Sequence, residues 1–112
     1  MLAALACFVL AYRHRLELPR HKRYGILGIA LGLGGVVVVI LLSWAFGWTV
    51  PARHAEIVDI HRRWFAPIST LLMLLVGVTG ALRWRIHTKL YTLLFPLYCA
   101  AVVTAIVGYW PF

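Results

Sequence analysis

Three stretches of this chain are almost wholly apolar and carry no charge: residues 24–47, 64–82 and 90–110. At 1.5 Å of rise per residue, each is about long enough as a helix to cross the roughly 30 Å of hydrocarbon in a bilayer. The runs are continuous rather than alternating, which selects helices over a membrane barrel. With 63% hydrophobic and 12% charged residues and a mean hydropathy of +0.91, a 112-residue soluble domain could not hide this much apolar surface. The sequence therefore predicts an all-α transmembrane helix bundle, residues 1–112 forming one domain with the lipid bilayer as its first partner. Residues 1–12 (MLAALACFVLAY) are apolar but too short to span. They read as a truncated first span whose start lies upstream of Met1, or as a short helix packed on the bundle. A signal peptide fits worse, because no basic segment precedes the apolar run.

The charges fall between the spans. Connector 13–23 carries Arg13, Arg15, Arg20, Lys22 and Arg23, and connector 83–89 carries Arg83, Arg85 and Lys89; connector 48–63 carries Arg53, Arg62 and Arg63. The positive-inside rule then puts connectors 13–23 and 83–89 in the cytoplasm, and connector 48–63 with the C-terminus on the opposite side. The formal net charge of +8 is thus a topology signal and a headgroup anchor, not a nucleic-acid footprint. Trp44, Trp48, Trp64, Trp84 and Trp110 all lie near span ends, as an aromatic belt requires. Within connector 48–63, the part from about Ala52 reads as a short amphipathic helix or an early start to the next span. Glu17, Glu56 and Asp59 are the only acids, and none lies in an apolar run, which argues against a proton-coupled transporter. Cys7 and Cys99 lie within apolar runs without metal-ligand spacing and read as inert thiols. No nucleophile–base pair suggests an independent catalyst.

Three of the five histidines, His21, His61 and His87, stand where an apolar run begins. On a helical wheel advancing about 100° per residue from His21, Gly25, Gly28, Gly32 and Gly35 all fall within about 40° of it. One helix face is therefore imidazole followed by glycines. Such a face lets a second helix approach closely, as Gly28-xxx-Gly32 would, or lets a flat macrocycle lie against it. His87 heads the last span, with Tyr91 one turn further along the same face. The helices headed by His21 and His87 start on the same side and run parallel, so their imidazoles sit at similar depth. Two neutral imidazoles on facing helices can form the axial pair of a b-type haem, or can simply sit at headgroup level. His61 opens its helix from the other side and cannot share a haem with either; it is half of a second site at most. His54 and His14 read as solvated or headgroup-level residues.

The chain resembles the membrane cytochrome b-561 class and its small bacterial relatives. The resemblance rests on His21-Lys22-Arg23-Tyr24-Gly25 with Gly34-Gly35, on His61-Arg62-Arg63-Trp64 followed by Val78-Thr79-Gly80, and on His87-Thr88-Lys89-Leu90. It covers about residues 20–110 as a pattern. It implies a haem b held between His21 and His87, a second haem to which His61 would contribute, single-electron transfer, and a place in a bacterial inner membrane. Arg20, Lys22, Arg23 and Lys89 would then lie near the haem propionates. The alternative is a haem-free accessory subunit of a photosynthetic or respiratory complex, whose glycine face packs on a helix, lipid, quinone or pigment. Other membrane subunits or a second copy of the chain are the expected protein partners.

Overall fold

A computed structural model of the chain describes residues 1–48 and 51–109, and among these it is helical without strands. Helices α1 (Leu2–Arg13), α2 (Leu18–Phe46), α3 (Ala55–Ile60), α4 (Ala66–Ala81) and α5 (Ile86–Tyr109) follow in order, with a single π-helical turn, His61–Phe65, joining α3 to α4. Three helical stretches are long and apolar enough to cross a membrane: Leu18–Phe46, Ala55–Ala81 and Ile86–Tyr109. The short α1 makes a fourth helix, so the expected bundle of three spans and one partial helix is present. The aromatic-belt reading of Trp110 lies outside the described residues.

The helices begin earlier than the apolar runs. α2 starts at Leu18, with Pro19 in its first turn, where the missing N–H has no intrahelical role. The polar segment before residue 64 is the start of the next span, since helix runs from Ala55 through the π turn into α4. Pro67 accounts for that turn. Its ring would collide with the Arg63 carbonyl and it offers no N–H, so one widened turn just before it absorbs the clash. Asp59 and Arg63 pair across this stretch at 2.8 Å.

α1 packs along the first half of α2, α2 on α4, α4 on α5, and α1 closes the ring against α5. The core is Ala4, Phe8, Met73, Val76, Leu94, Tyr98 and Val102, with Phe8 edge-on to Tyr98 at 5.2 Å between centroids. Hydroxyls within the spans bond their own backbone, as Thr70 to Ala66 O, Thr79 to Leu75 O and Thr104 to Ala100 O. Because α1 is short, the second half of α2 has little against it, and Val37, Val38, Val39, Ile40 and Leu41 are each more than half exposed.

Candidate functional site

Two hairpin-like reversals bring the site together. α1 ends at Arg13 and the chain turns back into α2, so His21 on the second turn of α2 lies beside the end of α1. α4 ends at Ala81, and a short reversal starts α5, which brings His87 back beside α4. The imidazoles of His21 and His87 meet with ring centroids 6.1 Å apart and planes at 85°. Because α2 and α5 start at the same end of the bundle, these two histidines come together there.

Each ring is held by one nitrogen. His21 Nδ1 is 2.7 Å from Ala11 O, and His87 Nδ1 is 3.0 Å from Val76 O with Thr79 Oγ1 at 3.4 Å. A carbonyl oxygen only accepts, so in both rings Nδ1 carries the proton and donates. Nε2 is then the lone-pair nitrogen in both neutral rings, and among the described residues neither Nε2 has a hydrogen-bond partner. Two imidazoles that approach one metal from opposite sides through about 2 Å bonds, with each ring centre about 1 Å behind its nitrogen, stand about 6 Å apart. Backbone carbonyls holding the far nitrogen are the usual orienting partners of such ligands. Ala11 O is a last-turn carbonyl of α1, buried and otherwise unbonded in the helix, so His21 also caps α1.

The glycine face divides. Gly25, one turn beyond His21, has open space where a Cβ would stand. At Gly28 a Cβ would meet the Phe8 ring at 2.8 Å, and at Gly32 it would meet Met73 Sδ at 2.6 Å. These two glycines receive side chains from α1 and α4, which is the close-packing role. Gly35 faces open space on the uncovered half of α2. Tyr91 donates its hydroxyl to Phe8 O at 2.6 Å and stacks on Tyr12, with centroids 6.0 Å apart, so it ties α5 to α1 one turn from His87.

His61 lies at the far end of the bundle; from His87 to its partner Thr104, α5 rises about 26 Å. It is buried, with Nδ1 2.9 Å from Thr104 Oγ1 and its ring edge-on to Tyr109 at 6.3 Å. The Thr104 hydroxyl already donates to Ala100 O at 2.8 Å, so it accepts from His61 Nδ1–H. His61 Nε2 is thereby also left as the lone-pair nitrogen. His54 is exposed at the start of α3, and His14 stacks on Tyr24 near Glu17. Neither joins either histidine site.

Charge surrounds the His21–His87 end. Lys22, Arg23 and Lys89 are exposed and have no carboxylate partner among the described residues, while Arg20 pairs with Glu17 at 3.2 Å. Sequence reasoning missed the groups that hold the rings: Ala11 O, Val76 O, Thr79 and Gly80. Backbone acceptors leave no trace in composition, and Thr79-Gly80 stood out only as part of a pattern. The chain matches no family model, no curated protein and no solved structure.

Proposed function

We propose that the protein is a membrane b-type cytochrome of small size, in which His21 and His87 would hold one haem b, serving electron transfer rather than independent catalysis. The observation that carries this reading is the pair itself. Two imidazoles on separate helices stand 6.1 Å apart, each with Nδ1 tied to a carbonyl and with no partner for Nε2 among the described residues. A haem held there would supply a one-electron ferric–ferrous couple. The chain's own residues do the rest. Ala11 O and Val76 O hold the ligand tautomer. Gly25 leaves room beside His21. Phe8, Met73 and Leu94 keep water from the bundle interior below. Lys22, Arg23 and Lys89, with Arg20, balance carboxylates at the basic end. This assignment agrees with the resemblance to the cytochrome b-561 class, and with a cytoplasmic placement of that end in a bacterial inner membrane. His61, whose Nδ1 is held by Thr104, would be half of a second haem site completed by a histidine from another subunit or a second copy.

A second reading draws on α2. Its exposed run Val37–Leu41 and the open space at Gly34 and Gly35 favour a subunit that packs within a larger respiratory or photosynthetic assembly. A haem-bearing subunit satisfies both readings. The test is haem retention in purified wild type and His87→Leu. The reading requires haem in the first and none in the second, and haem retained by the folded variant would refute the ligand assignment.

A further inference from the structure

The hydrogen bonds of His87 come from a part of the fold with its own construction. α4 closes with Trp84 N–H bonded to Thr79 O at 2.9 Å and Arg83 N–H bonded to Gly80 O at 3.2 Å. This is a Schellman closure, and it places Arg83 in the left-handed region at φ 56°. His87 N–H then bonds Trp84 O at 3.1 Å. The chain thus reverses within a few residues and folds His87 back over the turn it has just left.

The surface it meets has one shape and one polarity. A Cβ at Gly80 would stand 2.9 Å from His87 Cε1 and 3.1 Å from Nδ1, so the ring lies flush on a glycine and must shift to admit any side chain. Thr79 is buried and its hydroxyl donates to Leu75 O at 2.7 Å, which leaves an oxygen lone pair, not a hydrogen, for Nδ1. Val76 O is the second acceptor. A ring with its proton on Nε2 would set the Nδ1 lone pair against two oxygens and gain no bond.

We propose that the last turns of α4, Val76 with Thr79 and Gly80, are a positioning socket. It locks His87 as the Nδ1–H tautomer, fixes the ring plane, and through that bond sets the electron-donating strength of Nε2. The redox consequence rests on the haem reading; the tautomer does not. A donor bond from Nδ1–H gives the ligand more imidazolate character, which favours the ferric state and lowers the potential. Thr79 and Gly80 are positioning residues, since neither reaches a cofactor except through His87.

Histidine-15N NMR of the haem-free protein in micelles, with the imidazoles neutral, tests the lock. His87 is expected to show a protonated Nδ1 and a pyridine-type Nε2 in wild type. Gly80→Ala should shift it to a mixture, Thr79→Val should shift it less, and Thr79→Ser should match wild type. A wild-type His87 protonated on Nε2, or variants identical to wild type, overturns the socket whether or not haem binds. If Gly80→Ala does not fold, the Thr79→Val and Thr79→Ser pair decides. In haem-loaded protein, Thr79→Val and Gly80→Ala should raise the midpoint potential, and Thr79→Ser should restore it. Unchanged potentials in loaded protein refute the tuning and leave the haem reading intact. A locked tautomer in a chain that takes up no haem refutes that reading and the tuning, and leaves the socket.

Discussion

Gly28→Ala should loosen α1 from the bundle, and the size of the effect follows from what surrounds the new methyl. Its carbon would stand 2.8 and 2.9 Å from two Phe8 ring atoms and 3.1 Å from Cys7 Cβ. Ordinary carbon contacts lie near 3.5–4.0 Å, so the ring must retreat by more than half an ångström. Phe8 is 2% exposed and braced edge-on by Tyr98, which is itself buried, so it has no free direction. Overpacking of this kind costs about 1–3 kcal/mol. Replacing glycine by alanine within a helix also contributes up to about 1 kcal/mol of stabilisation. Gly35→Ala provides the control, because it carries the same helix term on the same helix with open space around it. The difference between the two variants isolates the steric cost and should be about 1–3 kcal/mol in the same direction. Cys7 touches the site and is buried, so maleimide labelling of Cys7 in a Cys99→Ser background reports α1 lifting away, alongside thermal unfolding in detergent. Equal unfolding and equal labelling of the two variants would refute the packing of α1 against α2 through Gly28.

Arg83→Gly removes a side chain from left-handed backbone and should stabilise the protein by about 1 kcal/mol, measured by thermal unfolding; a loss of stability would mean that the arginine side chain holds the turn. His21→Ala leaves the buried Ala11 carbonyl without its donor and should cost about 1–3 kcal/mol, whereas His21→Asn keeps a donor near the Nδ1 position. Under the haem assignment both variants lose haem while only the alanine loses stability, so haem retained by His21→Asn contradicts the ligand role. Thr104→Val removes the side-chain acceptor of the buried His61 Nδ1–H and should destabilise by about 1–3 kcal/mol, with Thr104→Ser close to wild type in unfolding; equal stability of the two would show that this bond carries nothing.

The three spans were legible because uncharged apolar runs of that length have few other solutions. Their boundaries were not, because Arg20, Lys22 and Arg23 are as comfortable on a helix at the headgroup level as in a loop. That His21 and His87 lie at one end of the bundle followed from span order, because both head helices that start on the same side, and the structure brings the two rings within 6.1 Å. The glycine face was ambiguous for a physical reason. Close packing and cofactor contact ask for the same absence of side chain, and only the arrival of Phe8 and Met73 assigns Gly28 and Gly32 to packing. The π turn could have been suspected from Pro67. The tethering of each imidazole could not, since the partners are backbone oxygens whose positions depend on where α1 and α4 end.

The most direct test is a reduced-minus-oxidised optical spectrum of the purified, folded protein, with haem counted per chain. The account predicts the α-band of a low-spin b-type haem, with one haem per chain from the His21–His87 site. Fully helical protein from haem-replete cells with no such band would contradict it.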